Sequence, residues 1–218
     1  FALGLHIPKI YDKVLDIDEC FLQSDISNRI LNFTREFFRD KKSTVYSTKS
    51  HTGYLRHLII RQAMQTKDLM INLVTSENNE RLFTDYSRNL SQNLPEITTI
   101  VNNINTKMGQ TSIGDYEKTY LGNGFIFDKI ENYLFRISAN SFFQTNTLQA
   151  EHLYETALEF ADFSGSETVY DLYSGAGTIA IFISSVVKSV WGFESIIQAN
   201  ENIVPASLSF GKGNEKTI

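Results

Sequence analysis

Residues 171–180 read Asp-Leu-Tyr-Ser-Gly-Ala-Gly-Thr-Ile-Ala, and this stretch decides the fold of the second half of the chain. It overlaps an apolar run at 168–172 that predicts a buried strand, and it leads into an apolar helix predicted for about 178–187. A second strand is predicted at 189–193. Because strand, helix and strand at this spacing form a parallel βαβ unit, the sequence predicts an α/β domain here.

The glycine turn between the first strand and the helix predicts a ligand site. Gly175 and Gly177 lack a Cβ and let a ligand approach the backbone, and the start of a helix offers free N–H groups. Glu194 ends the second strand, where nucleotide-binding α/β folds hold ribose hydroxyls. The turn has one glycine fewer than the dinucleotide fingerprint and begins with an acid, Asp171, which suits the positive sulfonium of S-adenosylmethionine. The alternative is a tight strand-to-helix turn with an incidental glutamate.

The region before this unit has a different pattern. Apolar residues at helical spacing predict a helix at 25–39, and a second helix is expected to end before Pro95. Between and after these helices lie β-rich runs at 54–64, 69–75, 98–104, 119–127 and 133–137. We therefore expect residues 1–138 to form an α+β domain with a mostly antiparallel sheet. Residues 139–218 are expected to form the N-terminal part of the α/β domain, whose first helix is predicted at 148–160.

Composition indicates a globular protein. Hydrophobic residues make up 42% of the chain and charged residues 21%. The longest apolar run, 179–187, is too short to cross a bilayer, and the first ten residues do not resemble a signal peptide, so no membrane partner is expected. Cys20 is the only cysteine, which rules out a disulfide within the chain and favours a reducing, cytoplasmic location.

The net charge of −5 is unevenly distributed along the chain. Residues 29–67 hold nine Lys or Arg against two acids, a net of +7, and such a local excess attracts phosphate more than the total charge repels it. This segment is therefore a candidate surface for contacts with nucleic-acid phosphates. The alternative is a solvated helix face followed by a flexible loop. For Arg56 and His57, a surface arginine and a partly buried structural histidine are favoured over direct RNA contact.

A longer pattern carries a family resemblance. Residues 137–154 read Ile-Ser-Ala-Asn-Ser-Phe-Phe-Gln-Thr-Asn-Thr-Leu-Gln-Ala-Glu-His-Leu-Tyr. Together with the glycine turn, they resemble the RNA (uracil-5-)-methyltransferases, which include iron–sulfur enzymes acting on ribosomal RNA and the thymine-forming enzyme of transfer RNA. Residues 14–23 and 53–61 also resemble segments of this family. The resemblance covers about residues 1–194, and the chain looks like an internal fragment.

The resemblance implies a Rossmann-like S-adenosylmethionine-dependent methyltransferase domain preceded by an α+β central domain. It implies that Glu194 binds the ribose hydroxyls, that Tyr173 packs against the cofactor and that Gln144 clamps it through its amide. The whole set of implied cofactor-binding residues is Gln144, Tyr173, Gly175, Gly177, Thr178 and Glu194. From the residues alone, Gln144 as a helix cap and Tyr173 as a core aromatic remain alternatives.

Cys20 has two interpretations. A lone cysteine is most often a small buried hydrophobe. The resemblance instead makes it one thiolate ligand of a 4Fe–4S cluster, which needs three more cysteines that this chain lacks. On that interpretation the other ligands lie in sequence before Phe1.

The resemblance also implies a mechanism. A cysteine thiolate adds to C6 of uracil, and C5 then attacks the sulfonium methyl group, which releases S-adenosylhomocysteine. A base removes the C5 proton, and the C6–sulfur bond breaks to expel the cysteine thiolate. The family places these catalytic groups after the second strand, and none is recognised before Ile218, so the chain alone is expected to be inactive. Expected partners are RNA, with 23S rRNA favoured over tRNA, and the protein is expected to be a monomer. Two alternatives are a methyltransferase acting on a small molecule and a non-catalytic RNA-binding module.

Overall fold

The structure is a computed structural model that describes residues 1–109 and 111–195. The described chain forms two compact units: residues 1–62 with 69–124, and residues 63–68 with 125–195. The sequence predicted a domain boundary near residue 138. The observed division lies earlier, so that a two-stranded hairpin at 125–138 belongs to the second unit.

The first unit is built on a four-stranded sheet. Its elements in chain order are β1 (Gly4–Ile7), β2 (Ile10–Asp16), α1 (Asp25–Asp40), β3 (Leu55–Gln62), β4 (Leu69–Thr75), α2 (Glu80–Asn93), β5 (Thr99–Ile104) and β6 (Tyr116–Leu121). The sheet order is β3-β4-β5-β6, and β1 and β2 form a separate antiparallel hairpin. Two of the three pairings in the sheet are antiparallel, which confirms the predicted mostly antiparallel sheet.

Helix α1 forms because its apolar residues recur every three or four positions and its ends are capped. Ile30 and Phe38 are fully buried against the core, in which α1 and α2 pack on the sheet. The Ser24 side chain accepts a hydrogen bond from the amide of Ser27 and so satisfies one of the free N–H groups at the start of the helix. Arg39 in the last turn complements the helix dipole.

The second unit contains the parallel strand pair that the glycine turn predicted. Its elements are β7 (Phe125–Ile130), β8 (Tyr133–Ser138), α3 (Thr147–Ala161), β9 (Thr168–Leu172), α4 (Thr178–Ile183) and β10 (Ser189–Phe193). Strands β9 and β10 pair in parallel, with Asp171 opposite Gly192. This arrangement is the expected βαβ unit. Asn146 caps α3 by accepting from the amide of Gln149 at 3.1 Å.

Three elements differ from the prediction. The run at 119–127 is two strands rather than one, because Gly122 and Gly124 adopt φ angles of 71° and 80° that turn the chain between β6 and β7. Helix α4 ends at Ile183 instead of about residue 187, because the chain then tightens into three-residue turns in which the amides of Ser184 and Val186 bond three residues back. The β1–β2 hairpin was not predicted.

None of the described helices combines the length and the apolar character needed to cross a membrane.

Candidate functional site

The candidate site lies where β9 and β10 end side by side. Leu172 pairs with Phe193 at the last position of both strands, and the amide of Ser174 donates to the carbonyl of Phe193 at 3.0 Å. The chain then turns sharply through three left-handed positions, Tyr173, Gly175 and Gly177, with φ angles of 65°, 56° and 70°. The two glycines adopt this conformation without strain because they lack a Cβ. The turn is thus fixed at the carboxyl edge of the parallel pair, where α/β folds bind ligands.

Glu194 is joined directly to the glycine turn. Its Oε2 atom accepts a hydrogen bond from the amide of Gly175 at 2.9 Å. A backbone N–H bonded to a carboxylate is a charge-assisted hydrogen bond, and it orients the carboxylate. The structure therefore brings together two of the residues that the sequence singled out, nineteen positions apart. The role of Glu194 towards ribose hydroxyls stays a prediction.

Asp171 is the acid that opens the motif. Its Oδ2 accepts from the amide of Ala180 at 3.2 Å, so the carboxylate ties β9 to the first turn of α4. Burial raises the pKa of Asp171, and the hydrogen bond from Ala180 opposes that shift. The sequence had implied several free N–H groups at the start of this helix. Fewer free N–H groups are present than expected, because α4 has only six residues and the Asp171 carboxylate already accepts a hydrogen bond from one of its first amides.

Tyr173 is presented to solvent. Its side chain is 90% exposed, so the alternative of a core aromatic is wrong. A non-glycine residue in the left-handed region is unfavourable and is often found at functional sites. The tyrosine ring is consequently available to pack against a ligand bound above the turn.

Gln144 and Thr178 are the remaining residues that the resemblance implied for the cofactor site. Gln144 is half-buried in the segment before α3, and Asn146, not Gln144, caps that helix. The alternative of Gln144 as the helix cap is therefore wrong. Thr178 is the first residue of α4 and follows Gly177 directly, and its hydroxyl lies 3.1 Å from the hydroxyl of Tyr154. Sequence reasoning did not single out Tyr154 as part of the site.

Two features of the turn bear on the adenosine-type cofactor that the motif implied. A Cβ placed at Gly175 would meet no atom of the described residues within 4 Å. Ser174, buried in the same turn, has a hydroxyl that no protein atom of the described chain hydrogen-bonds. With the exposed Tyr173 and the oriented Glu194, these features fit S-adenosylmethionine.

Cys20 lies in the first unit, in a loop held through its main chain. Its amide donates to Oδ1 of Asn28 at 3.0 Å, and its carbonyl accepts from Nδ2 of the same residue at 3.2 Å. The half-buried thiol lines a cavity of about 770 Å³ together with His6 and His57. Within residues 1–109 and 111–195, no three His, Cys, Asp or Glu side chains gather to hold a metal. One cysteine does not provide the ligands of a 4Fe–4S cluster, so this chain alone does not fit that cofactor.

Arg35 was counted in the basic segment, and its role there was misread. Its guanidinium is almost fully buried and donates to Asp16 at 2.9 Å and Asp18 at 3.1 Å, and also to the carbonyls of Leu3 and Ile17. It therefore holds the β1–β2 hairpin and the following loop against α1. A buried, fully bonded arginine has no donor to offer RNA.

Several other cations of the 29–67 segment pair with acids from elsewhere in the first unit. These ion pairs are Arg29–Glu96 at 3.0 Å, Arg39–Asp16 at 3.7 Å, Lys41–Asp85 at 2.8 Å and Lys49–Asp12. The local positive charge of the folded unit is accordingly smaller than the +7 counted along the sequence. These ion pairs favour the alternative of a solvated helix face more than the count of charges along the sequence did.

Arg56 and His57 behave as structural residues. The Arg56 guanidinium stacks 4.0 Å from the ring centre of Tyr46 and donates to the carbonyls of Asn105 at 2.9 Å and Lys107 at 2.6 Å. Burial lowers the pKa of the half-buried His57, and the charges of Arg56 and His6 lower it further. The partly buried histidine was expected, whereas Arg56 is bound to main-chain carbonyls rather than free at the surface.

The parallel strand pair and its glycine turn define the class of fold, a Rossmann-like α/β fold. No family model matches the chain. It is 39% identical over 200 residues to an uncharacterized RNA methyltransferase of Chlorobaculum tepidum, a match covering 91% of this chain and 41% of that protein. A second such RNA methyltransferase, from Bacteroides thetaiotaomicron, is also 39% identical, over 92% of this chain and 45% of that protein.

A solved structure agrees with these relatives. The tRNA (uracil-54, C5)-methyltransferase of Pyrococcus abyssi in complex with S-adenosyl-L-homocysteine is 30% identical, with a TM-score of 0.75 over 91% of this chain and 47% of that chain. The chain belongs to the RNA methyltransferase family. It spans less than half the length of these relatives.

Proposed function

We propose that this chain is the donor-binding part of an RNA uracil-5 methyltransferase, which transfers a methyl group from S-adenosylmethionine to C5 of a uridine. The observation that carries the proposal is the Glu194 carboxylate bonded to the Gly175 amide at the edge of the parallel pair. The similarity to a uracil C5-methyltransferase solved with S-adenosyl-L-homocysteine supports the choice of cofactor and of reaction.

Each site residue has a definite task in this proposal. Bound S-adenosylmethionine supplies a methyl group on a positively charged sulfur. Glu194 accepts hydrogen bonds from the ribose hydroxyls, Tyr173 packs against the cofactor and Gln144 holds it through its amide. Gly175 and Gly177 let it approach the backbone, and Thr178 lies close by at the start of α4. Asp171, half-buried nearby, adds a negative charge that favours the sulfonium.

Addition to C6 of uracil needs a thiolate, and removal of the C5 proton needs a base. The only thiol of the chain is Cys20, which lies in the first unit. We therefore propose that residues of the longer protein provide both groups and that this chain alone transfers no methyl group. Two acids that follow the second strand in the sequence, Glu201 and Glu215, and also Asn214 lie outside the described residues.

The proposed substrate is RNA, with 23S rRNA favoured by the resemblance to iron–sulfur ribosomal RNA enzymes. The similar solved structure is of a tRNA enzyme, so the assay includes both RNAs. A radiolabelled methyl-transfer assay compares the chain with the full-length protein on unmodified 23S rRNA and tRNA. Turnover by the chain alone, lost in Cys20→Ala, would contradict the proposed source of the nucleophile.

We further propose that Cys20 provides one thiolate ligand of an iron–sulfur cluster in the longer protein. We also propose that the longer protein is a cytoplasmic monomer. Iron and acid-labile sulfide analysis of the full-length protein tests the cluster. A cluster that survives intact in Cys20→Ala would exclude Cys20 as a ligand.

The donor site itself is tested by binding. Calorimetry measures the affinity of the full-length protein for S-adenosyl-L-homocysteine in wild type, Glu194→Ala and the exposed control Glu159→Ala. Losing charge-assisted hydrogen bonds worth about 1.5–3 kcal/mol weakens binding roughly tenfold to a hundredfold in Glu194→Ala. Equal affinity of Glu194→Ala and wild type would remove the ribose role of Glu194.

A further inference from the structure

Tyr154 contacts helix α4 at two points. The residue lies on α3 and is 4% exposed. Its ring packs edge-on against Phe182, with ring centres 5.3 Å apart, and its hydroxyl lies 3.1 Å from Oγ1 of Thr178. Thr178 and Phe182 are one helical turn apart, so the tyrosine lies along the same side of α4 from its first residue onward.

The contact with Thr178 joins two hydroxyl groups that differ in how far their side chains are buried. The Tyr154 hydroxyl belongs to a buried side chain, whereas Thr178 is only half-buried. A threonine hydroxyl has one donor and two acceptor positions. When the tyrosine O–H donates to Oγ1, the threonine keeps its own O–H and a second lone pair for another partner.

The Thr178 side chain has more than one staggered rotamer open to it about the Cα–Cβ bond. The bond to Tyr154 favours one of these rotamers. The ring packing on Phe182 fixes where the tyrosine hydroxyl lies, so the selected rotamer is set by the α3–α4 contact. Thr178 directly follows Gly177, at the point where the turn passes into α4.

We propose that Tyr154 is a positioning residue of the donor site, which holds the Thr178 hydroxyl in the orientation that binds S-adenosylmethionine. The inference rests on the proposed function, since it assumes that this turn binds the methyl donor. It adds to that function a residue on a different helix that controls donor affinity without touching the reacting atoms.

The test is a double-mutant cycle read by calorimetric binding of S-adenosyl-L-homocysteine to the full-length protein. Tyr154→Phe removes the hydroxyl and keeps the ring, and Thr178→Val removes the partner hydroxyl and keeps the branched shape. Each single variant is expected to bind about fivefold more weakly, as one net hydrogen bond predicts. The double variant is expected to bind no more weakly than Thr178→Val. Thr178→Ser, which keeps the hydroxyl, is expected to retain near wild-type affinity.

Tyr133→Phe, a half-buried tyrosine on β8, is the matched control and is expected to bind as wild type. Wild-type affinity in Tyr154→Phe would overturn the inference while leaving the proposed function intact. So would a further loss of affinity when Tyr154→Phe is added to Thr178→Val. A wild-type protein that does not bind S-adenosyl-L-homocysteine would overturn the proposed function and this inference together.

Discussion

Replacing Arg35 by methionine distinguishes a structural role of this residue from a role in RNA binding. Methionine keeps much of the side-chain volume and removes every donor of the guanidinium. The side chain is 5% exposed and binds two acids and two main-chain carbonyls of the β1–β2 hairpin and its following loop. The expected result is a weakened attachment of residues 1–20 to α1, with no direct effect on RNA contacts.

The size of the effect follows from the exposure of each partner. Asp18 is 94% exposed, so its pair contributes close to nothing once water replaces the arginine. Asp16 and the carbonyls of Leu3 and Ile17 each lose a hydrogen bond with a net value of about 1 kcal/mol. Arg35→Met should therefore destabilise this attachment by about 3 kcal/mol, equivalent to about a hundredfold increase in local opening.

Hydrogen–deuterium exchange of the amides in residues 1–20 measures this opening directly. The control is Arg39→Met on the same helix, because Arg39 is 53% exposed, lies 3.7 Å from the same carboxylate of Asp16 and should change exchange little. Equal exchange in the two variants would refute the structural role. A reduced salt dependence of RNA binding in Arg35→Met, with the hairpin still protected, would restore Arg35 to the RNA surface.

Acidification gives an independent check of the same anchor. The amide of Leu3, and to a smaller extent the charge of Arg35, hold the pKa of Asp16 below its usual value of 3.8, against the opposing effect of burial. A carboxyl whose pKa is lowered by folding stabilises the fold above the unfolded value, and this stabilisation is lost as pH falls through the folded pKa. Protection of the hairpin in wild type is therefore expected to decline below about pH 3.8.

Three further predictions concern other charged groups. Asp171→Asn should not lower stability to urea at pH 7, because burial raises the pKa of Asp171 and penalises its charge above that pKa. The same variant should bind the methyl donor more weakly by calorimetry, and wild-type affinity would contradict an electrostatic role of Asp171. Asp128→Ala removes a buried carboxylate that accepts from the amides of Met64, Gln65 and Lys129, and it should lower the free energy of unfolding by about 3 kcal/mol; an unchanged urea midpoint, followed by fluorescence of the single tryptophan, would contradict this. Replacing Arg39, Lys41 and Lys42 by Ser should lower the slope of log affinity for RNA against log salt by about 2 if all three contact phosphate, and an unchanged slope would leave them as part of a solvated surface.

Much of the fold could be predicted because its patterns are local. The apolar spacing of Ile26, Ile30, Phe33 and Phe37 marks one face of α1, and strand, turn, helix and strand follow each other within 168–193. The β1–β2 hairpin showed no such pattern. Its opposed residues Leu5 and Leu15 are both exposed, so no buried face fixes the register of the two strands.

Charges and side-chain contacts were harder to anticipate. A count along the sequence treats Arg29 as free, whereas the folded chain pairs it with Glu96, sixty-seven residues away. The link between Gly175 and Glu194 could be anticipated, because two parallel strands joined by one helix end at the same edge. The contact between Tyr154 and Thr178 depends on how α3 packs on α4, which no local pattern encodes.

The conformation of the glycine turn depends on the second strand as well as on its glycines. Tyr173 occupies the left-handed region, at a cost of about 1–3 kcal/mol that glycine would avoid. Two amides immediately after it offset this cost by bonding to the end of β10, that of Ser174 to the Phe193 carbonyl and that of Gly175 to the Glu194 carboxylate. Because both partners belong to β10 or follow it directly, pairing of the parallel strands and formation of the turn are coupled. A change that weakens β10 should therefore disturb the donor site before it reaches any residue expected to touch the donor.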